Sequence, residues 1–571
     1  MRTRVTALLG GVIGAAAFLL VIGPQIVRPT NLGWTMRHDL QTYVLAWTHF
    51  RNEPWRWPVA EIRGVGYPIG TSIGNTDAIP LAAFLLKPFD AVLPEPAQYL
   101  GAWLLLCFVL QGVFGVLLVR LATPDPWLQL IGAALFVQTP ALFNRLGHPA
   151  LCAHWLLLAS MWLVIEGRRS PGRWHAAAWM AVTALAAAIQ PYLALMVMTL
   201  AGAGSLNRAR AAPSLAAATR TLALEVSGVV ASALLGFWLC GYFLVGSVGA
   251  LRSGGLGEFS MNLLGPVTGM GYSTLFPEVP LGTPGQYEGH VYFGAGWLLL
   301  SVAALTLAVR RRRRAPAPPL SPYLPRLGAA WLSLLACTLI AISPVVTSGA
   351  TTLVDLSAWA PSALAIVRSS GRFGWVPMYA AFALAAMTVV SHLPRRTALA
   401  LLSAAVVLQT VDLSAAYRAI HARETSVEWT HYASPLRDPA WGQLIPLFDH
   451  VAMTPPMMCA SVWAPPAGDH LPFSLIAGQH RVTINSGEAG RYDLNAVIAY
   501  CRSFEADIRA GRLDPNTLYV LSPTMRTAMG MPPASLVCGA LDGFELCTMN
   551  ADVARLNVVA PAAQFTTISS R

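Results

Sequence analysis

The stretch VTALLGGVIGAAAFLLVIGPQIV, residues 5–27, is an unbroken apolar run that follows two arginines, Arg2 and Arg4. A transmembrane helix needs about 20 such residues. Arginines before an apolar run also begin secretory signal peptides, but this run extends to about 23 residues and no convincing small-residue cleavage site follows it. We therefore expect a retained first membrane helix.

Further apolar runs show that the chain crosses the membrane many times. Of its 571 residues, 55% are hydrophobic and 11% are charged, which is typical of a polytopic α-helical membrane protein. Together with the first run, spans are predicted at 5–27, 99–120, 127–143, 150–166, 174–189, 191–206, 222–248, 291–309, 327–346, 374–392 and 397–415. We therefore expect about eleven transmembrane helices.

Two of these regions leave alternatives open. The run at 79–94 is interrupted by Lys87, Pro88 and Asp90, so we interpret it as a helix at the membrane interface. The short runs 174–189 and 191–206 meet at Gln190 and Pro191, which fits either one kinked helix or a hairpin. The hairpin keeps both flanking arginine clusters on one side.

The basic residues predict the orientation. The formal charge is +11, yet the arginines lie in short segments between apolar runs, so they indicate membrane topology and not a nucleic-acid surface. These segments include EGRRSPGR and RRRRRAPAPPLSPYLPR. The positive-inside rule places them and the N-terminus in the cytoplasm. The loops 28–98, 249–290 and 347–373 then lie outside, and we expect a bacterial inner membrane protein.

The composition changes after Leu413, where strand-like pieces such as TLYVLS and GFELCTM appear. We predict a membrane domain at 1–415 and a soluble external α+β domain at 416–571. The turn GALDG separates Cys538 from Cys547, so a disulfide between them is one interpretation. Other pairings among the four cysteines of this domain, or free buried thiols, remain open.

Ionisable residues are scarce inside the apolar runs, which argues against a proton-coupled pump or a channel for charged substrates. Polar groups concentrate in the external loops. Asp39 lies in the first turn of the stretch RHDLQTYVLAWTHF, in which apolar residues recur at helical spacing. One interpretation is a helix cap on a tryptophan-rich interfacial anchor. The other is a catalytic acid.

Asp77 is a second acid in the same external loop, within GYPIGTSIGNTDAIPL. It can cap the following helix together with Asn75 and Thr76. Two carboxylates can also supply a general base and a ligand for metal or substrate. If a metal takes part, Asp39 and Asp77 are its expected ligands, and Mg²⁺ or Mn²⁺ is the expected cofactor.

Other external segments carry candidate substrate-binding groups. The short turn NRLGHP is unusually polar, the loop GQYEGH is rich in glycine and aromatic neighbours, and RSSGR lies just before a predicted span. Arginine forks bind phosphate bidentately. The candidates are Arg145, His148, Glu288, His290, Arg368 and Arg372.

Several segments carry a resemblance. A retained first helix, a long external loop with an early acid, a second acid and an external C-terminal domain resemble the GT-C membrane glycosyltransferases. The stretches WRWPVAEIRGVGYPIGTSIGNTDAIPLAAFLLKPF, RLGHPALCAHWLLLASMWL and RSSGRFGWVPMY are also similar to a bacterial family of polytopic proteins without an assigned function. The GT-C resemblance implies a sugar donor linked to polyprenyl phosphate. It also implies that Asp39 takes the place of the catalytic first-loop acid.

The resulting hypothesis is an inverting transfer of a sugar from a polyprenyl-phosphate donor to a glycan, lipid or protein acceptor outside the cell. Asp39 acts as general base, and Arg368 and Arg372 stabilise the leaving phosphate. RHDLQ departs from the paired acidic motifs of better-known GT-C groups, which puts metal dependence in question. The alternatives are a flippase or exporter of lipid-linked saccharides, and a non-catalytic scaffold of an envelope polysaccharide complex.

Overall fold

The computed structural model describes residues 2–169, 174–244, 255–314, 328–361, 364, 366–459, 469–491, 493–522 and 535–568. The chain forms two compact units. The first unit comprises Met1–Arg28, Leu100–Gly236 and Arg252–Ser426, and the second comprises Pro29–Tyr99, Phe237–Leu251 and Val427–Arg571. The sequence predicts one boundary near residue 415, with the membrane domain before it and the soluble domain after it. The second unit instead combines the first loop with the C-terminal region.

The first unit is helical because its sequence consists of long apolar runs separated by prolines and short polar turns. Its longer helices are Arg2–Val21, Leu100–Arg120, Pro126–Val137, Trp155–Arg169, Trp174–Ile189, Pro191–Arg210, Leu215–Leu239, Ala295–Arg314, Ala330–Ile342, Trp375–His392, Arg395–Asp412 and Ser414–Glu424, and the end of Leu215–Leu239 belongs to the second unit. Pro140–Asn144 is a single short turn, and Val345–Ser348 pairs with Thr351–Asp355 as an antiparallel hairpin.

The helices long and apolar enough to cross a membrane are fewer than the predicted runs. Among the described residues six helices qualify, and a seventh if the bent pair Arg395–Asp412 and Ser414–Glu424 counts as one span. Trp174–Ile189, Ala295–Arg310 and Ala330–Ile342 are apolar but shorter. Each predicted run contains a helix, so the mostly helical class is confirmed. The number of eleven crossings stays a prediction.

Small residues bring the first two long helices together. A Cβ on Gly14 would lie 2.0 Å from the carbonyl oxygen of Phe108, and one on Gly112 would lie 2.0 Å from that of Gly10. Only glycine permits such close backbone contact. The glycine pair at spacing four in the opening stretch therefore fixes how Arg2–Val21 packs on Leu100–Arg120.

The second unit contains a six-stranded sheet built from the C-terminal region, which confirms a C-terminal domain with strands and helices. From one edge the strands are Thr566–Thr567, Leu536–Leu541, Phe544–Met549, Thr517–Leu521, His450–Thr454 and Thr483–Ile484. The last three pair in parallel and the others antiparallel. In the described part of this region, the helices are Val427–Thr430, Trp441–Leu444, Leu471–Gln479, Leu494–Arg509 and Val553–Val559.

Two disulfides close the sheet region. Cys538 bonds Cys547 across two adjacent strands, which is the pair expected from the GALDG turn, and Cys459 bonds Cys501. The remaining cysteines, which include Cys107 and Cys240, are buried free thiols.

The first loop completes the second unit by joining the sheet edge. Val65 forms a parallel bridge with Ile484, whose backbone N–H donates to the carbonyl of Gly64 at 2.8 Å. The loop also contributes the hairpin of Glu61–Ile62 with Thr71–Ser72 and the helices Leu40–Asn52 and Pro80–Leu86. Pro80–Leu86 has seven residues, so it is too short to span a membrane.

The helix Leu40–Asn52 differs from the amphipathic anchor that its spacing suggests. Trp47 is buried as expected, but so are His49 and Arg51. His49 Nε2 lies 2.9 Å from the carbonyl oxygen of Ser474, and burial lowers the pKa of His49 to about 4 although this hydrogen bond opposes the shift. His49 is buried against the distant Leu471–Gln479 segment, and Arg51 forms an ion pair with Asp90. Local periodicity does not reveal either contact.

Candidate functional site

Three segments of the first unit, distant in sequence, meet at Glu288. Arg145 follows the short helix Pro140–Asn144, Glu288 lies in the 3-10 turn Pro284–Gly289, and Arg372 lies in the 3-10 turn Ser370–Gly374. The Oε2 atom of Glu288 accepts from Arg145 Nη1 at 2.5 Å and from Arg372 Nε at 2.9 Å. We call Arg145, Glu288 and Arg372 the arginine cluster.

The arginine cluster is buried and carries surplus positive charge. The exposed fractions of Arg145, Glu288 and Arg372 are 2%, 4% and 8%. Burial raises the pKa of Glu288, but the nearby Arg372 and Arg145 outweigh it and lower that pKa from its ordinary value to about 2. Glu288 therefore stays ionised at neutral pH. Two guanidinium groups share one carboxylate, so the three side chains together carry one net positive charge.

The remaining basic candidates of the first unit occupy different surroundings. His148 is half-buried and close enough to Glu288 to help lower its pKa. His290 is fully buried, its Nε2 lies 3.2 Å from the carbonyl oxygen of Gly269, and burial lowers its pKa to about 4. It is therefore neutral at physiological pH. Arg368 is exposed and lies over the ring of Phe259 at 5.5 Å.

Glycine allows the two turns of the arginine cluster to touch. A Cβ on Gly371 would lie 2.6 Å from the Cα of Gly289 and 2.8 Å from the carbonyl carbon of Ser260. The backbone N–H of Gly371 donates to the carbonyl of Phe259 at 2.9 Å. The motif RSSGR thus places Arg372 by backbone contact, which explains the glycine between its two arginines.

Asp39 lies in the second unit and is exposed at the beginning of Leu40–Asn52. Its side chain forms no capping hydrogen bond with this helix. The prediction that Asp39 caps the helix through its side chain is therefore wrong. Asp39 has helical backbone angles, φ −66° and ψ −21°, whereas an N-cap residue is usually extended.

Asp77 is half-buried in the same unit and adopts a left-handed backbone with φ 55°. Aspartate tolerates this conformation better than most residues. The helix Pro80–Leu86 follows Ile79 without a side-chain cap, so Asp77 does not cap it either. Asn75 instead donates to Ser72 Oγ at 3.0 Å and to the carbonyl of Gly241 at 3.3 Å.

One segment of the C-terminal sheet region contacts residues that are close in sequence to each of the two acids. Glu488 accepts hydrogen bonds from the side chains of Gln41 and Thr42, which follow Asp39 closely in sequence. Two residues later, the N–H of Gly490 donates to the carbonyl of Asn75 at 2.7 Å, beside Asp77. The segment NSGEAGR, residues 485–491, therefore contacts both the first turn of Leu40–Asn52 and the turn that contains Asn75.

Tyr242 lies near the Asp77 end of this segment. Burial is the largest cause that raises the pKa of its hydroxyl, Asp77 adds to the effect, and Arg491 opposes it. The residues that sequence reasoning missed are thus Glu488 and Arg491. Their signal was a charged pair within a glycine-rich stretch between two predicted elements.

No group of three or more His, Cys, Asp or Glu side chains in the described part of the chain is arranged to hold a metal ion. Binding of Mg²⁺ or Mn²⁺ by Asp39 and Asp77 stays a prediction.

The predicted site residues fall into both units. The arginine cluster with His148 gathers in the first unit, which also contains His290 and Arg368. Asp39 and Asp77 belong to the second unit, where their sequence neighbours Gln41 and Asn75 contact the segment 485–491.

Comparison with known proteins gives two family matches. The model described as Domain of unknown function (DUF6311) matches residues 11–414, and the model described as DUF6311 C-terminal domain matches residues 440–549. No curated protein matches the chain.

Two solved structures from Archaeoglobus fulgidus are similar at a TM-score of 0.41. One is the archaeal oligosaccharyltransferase AglB in complex with an inhibitory peptide and a dolichol-phosphate, which is 11% identical; the match covers 97% of this chain and 74% of that chain. The other is the oligosaccharyltransferase tethered to an acceptor peptide containing the NVT sequon, which is 12% identical, with 96% and 74% covered.

Proposed function

The chain belongs to the DUF6311 family, whose description assigns no activity, and we propose that it is a membrane glycosyltransferase. It transfers a sugar from a polyprenyl-phosphate donor to an acceptor hydroxyl outside the cytoplasm. The acceptor is a cell-envelope glycan, a lipid or a protein.

The observation that carries this proposal is the arginine cluster. Its two guanidinium groups lie around one carboxylate and are buried beside the ends of apolar helices, where cations need anionic partners. A lipid phosphate supplies a dianion or monoanion from the membrane side. Arginine is suited to it, because the planar guanidinium donates two parallel hydrogen bonds to phosphate oxygens.

The proposed reaction is one displacement at the anomeric carbon. Asp39 removes the proton of the acceptor hydroxyl, whose oxygen forms a bond to the anomeric carbon as the bond from that carbon to the phosphate oxygen breaks. The electron pair leaves with the polyprenyl phosphate, and Asp39 later releases its proton to water. Arg372 and Arg145 stabilise the charge that develops on the leaving phosphate.

Asp77 has a positioning role in this proposal. Its left-handed turn and the backbone contact between Asn75 and Gly490 hold the first loop against the segment 485–491. This segment reaches the start of the Asp39 helix through Glu488. Asp77 therefore orders the loop that carries the base.

The compartment of the reaction is proposed from the disulfides. Cys459–Cys501 and Cys538–Cys547 lie in the sheet region, whereas the free cysteines include Cys107, Cys152 and Cys337 of the first unit. Structural disulfides persist in oxidising compartments such as the bacterial periplasm. Together with the positive-inside pattern, this supports an external second unit in a bacterial inner membrane.

The experiment that tests the arginine cluster measures binding of undecaprenyl monophosphate to the full chain in lipid nanodiscs. We expect Arg372→Gln to weaken binding at least tenfold, because it removes one guanidinium. Arg208→Gln is the matched control, since Arg208 is also buried and also paired with a glutamate, Glu225. Equal binding by wild type and Arg372→Gln would remove the basis of the proposal.

A flippase would bind the same lipid, so a second readout separates the two functions. A flippase moves labelled polyprenyl-phosphate sugar across a vesicle membrane and leaves the sugar attached to the lipid. A transferase releases polyprenyl phosphate in step with sugar incorporation. A scaffold does neither.

A further inference from the structure

The first unit contains a hairpin that the proposed reaction does not use. Its strands are Val345–Ser348 and Thr351–Asp355, and the 3-10 turn Ser357–Trp359 follows it closely. Every residue of the second strand and of this turn is exposed. Because successive side chains of a strand point to opposite faces, both faces of the second strand are uncovered. We call residues 345–359 the apolar hairpin.

The exposed residues of the apolar hairpin include large apolar side chains. Leu353, Leu356 and Trp359 are 54%, 51% and 85% exposed. Leu263 adds to this surface, because it is also exposed and its N–H donates to the carbonyl of Thr347 at 3.0 Å. Soluble proteins rarely expose so many apolar side chains close together, and such surfaces mark contacts with a protein partner or a membrane.

The helix before the apolar hairpin indicates which of the two covers this surface. Only Ser343 and Pro344 separate the hairpin from the apolar helix Ala330–Ile342. The large apolar residues exposed on that helix include Trp331, Leu332, Leu335 and Leu339. In a membrane protein, such a face contacts lipid. The N–H of Leu356 donates to the carbonyl of Pro344 at 2.9 Å, so the second strand returns to the end of a helix that faces lipid.

The length of this helix supports the same conclusion. Its 13 residues make about 20 Å at a rise of 1.5 Å per residue. The hydrocarbon core of a bilayer is about 30 Å thick, so the helix alone does not cross it. The apolar side chains that follow Pro344 extend the apolar surface of the helix toward the lipid head groups.

The backbone of the apolar hairpin indicates its depth. A two-stranded hairpin leaves the outer N–H and C=O groups of each strand unpaired, which is costly in hydrocarbon. The exposed second strand also carries the polar residues Thr351, Thr352 and Asp355. Trp359 is the most exposed large apolar residue in the described part of the chain, and tryptophan is enriched where head groups meet acyl chains. These features favour the lipid interface over the hydrocarbon core.

We propose that the apolar hairpin lies in the lipid interface of the membrane. Leu353, Leu356 and Trp359 insert among the lipids, and the polar residues and free backbone groups contact head groups and water. Lipid therefore covers this surface, and a second copy of the chain or another protein does not. This placement does not depend on transferase activity.

Hydrogen bonds connect the apolar hairpin to the arginine cluster. Asn262 Nδ2 donates to the carbonyl of Gly349 at 2.8 Å and to Gln286 Oε1 at 3.0 Å. Gln286 lies in the turn Pro284–Gly289, which also carries Glu288. A polyprenyl-phosphate donor would therefore reach the arginine cluster from the lipid around the hairpin. This link alone rests on the proposed function.

The test is fluorescence quenching of a bimane label on the full chain in nanodiscs. Thr352→Cys and Ala358→Cys carry the label, because both residues are exposed and neither is one of the inserted side chains. The nanodiscs contain phosphatidylcholine with a nitroxide either at carbon 5 or at carbon 12 of an acyl chain. Leu335→Cys is the control that faces lipid, and Ser503→Cys, exposed in the second unit, is the control in water. The unsubstituted protein gives the background from its buried thiols.

We expect the nitroxide at carbon 5 to lower the fluorescence of both hairpin labels about twofold or more, and the nitroxide at carbon 12 to lower it less. The label on Ser503→Cys should be unaffected. Adding Leu353→Ser, Leu356→Ser and Trp359→Ser should weaken the quenching of the Ala358→Cys label, because the side chains that hold the hairpin among the lipids are then gone.

Each outcome decides the proposal. Absence of quenching at both hairpin positions would overturn it, and so would stronger quenching from carbon 12 than from carbon 5. Undiminished quenching in the triple serine variant would also contradict it. The expected quenching in a protein that does not bind undecaprenyl monophosphate would leave the placement of the hairpin standing and remove the proposed function.

Discussion

At the residue scale, Glu288 joins the two arginines of the arginine cluster. It is the carboxylate shared by Arg145 and Arg372, and its pKa of about 2 lies well below the ordinary value near 4.5. A folded-state pKa that is lowered stabilises the protein above the unfolded pKa, and this stabilisation disappears as pH falls toward the folded pKa. For Glu288 that window runs from about pH 4.5 down to about pH 2.

We therefore predict that Glu288→Gln destabilises the first unit by about 3–5 kcal/mol, because it leaves two buried guanidinium groups without their carboxylate. It should also flatten the decline of the melting temperature between pH 5 and pH 3. Both are measured by thermal unfolding in nanodiscs. Glu225→Gln is the control, because it removes the carboxylate partner of a different arginine, Arg208. A variant with wild-type stability and an unchanged acid profile would show that Glu288 does not organise the cluster.

Lys87 is the only lysine in the chain, and it lies against the rings of Phe50 and Trp55 at 4.0 and 4.5 Å. Burial lowers its pKa to about 8, while Glu53 opposes the shift. We predict that acetylation of Lys87, followed by peptide mass spectrometry, rises with a midpoint near pH 8 in the folded protein. In denaturant the midpoint should return to about 10.4. The same midpoint in both states would contradict the buried environment.

The sequence identified the residues of the arginine cluster but not their pairing. Polar residues between apolar runs, in loops predicted to be external, stand out against their surroundings, so Arg145, His148, Glu288 and Arg372 could be chosen from composition alone. Glu288 forms ion pairs with both arginines because loops far apart in sequence come together, and composition does not show this. Glu488 and Arg491 carried only a weaker signal, a charged pair within a glycine-rich stretch, because charged residues are ordinary in a soluble domain.

At the element scale, backbone contact between helices explains the glycines of the opening stretch. Gly14 and Gly112 each meet a carbonyl oxygen of the partner helix at a distance that no Cβ tolerates. The apolar runs predicted both helices correctly. Their pairing was not predicted, since composition does not show which helix lies next to which.

We predict that Gly14→Ala lowers stability by about 1–3 kcal/mol, as overpacking in a tight interface does. Gly202→Ala is the matched control, because Gly202 lies inside the helix Pro191–Arg210 and a Cβ there has nothing within 4 Å. It should be neutral or raise stability by about 0.5–1 kcal/mol. Thermal unfolding of both variants gives the comparison. Equal losses in the two would contradict the proposed helix contact.

Leu40–Asn52 shows where helical periodicity misleads. Its apolar residues predict one buried face correctly, but His49 and Arg51 are buried as well, through contacts with Ser474 and Asp90. An interfacial helix and a core helix share the same apolar spacing, and only the partner distinguishes them.

At the scale of the whole molecule, the first loop and the C-terminal region form one unit because the bridge from Val65 to Ile484 extends the sheet edge. Linear composition predicted a membrane part and a soluble part. It did not predict that a loop between two apolar runs joins the soluble part, because strand pairing at long sequence separation leaves little local trace.

This arrangement gives a topological prediction. Since the first loop and the sheet region form one unit, both must lie on the same side of the membrane. Alkaline phosphatase fused at residue 60 or at the C-terminus should be active in the periplasm, and a fusion after Arg220 should be inactive. An active fusion after Arg220 would contradict the orientation.

The most direct test of the central claim is sugar transfer by the reconstituted protein. Polyprenyl-phosphate-linked radiolabelled hexoses and pentoses are supplied with an envelope acceptor fraction, and released polyprenyl phosphate is measured together with labelled product. The proposal predicts transfer by wild type, a loss of about 10²–10⁴-fold in Asp39→Asn, and wild-type rates in Asp507→Asn, an exposed aspartate of the same unit. Full transfer by Asp39→Asn would contradict the assignment of the base, and absence of transfer by wild type from every donor would contradict the proposed function.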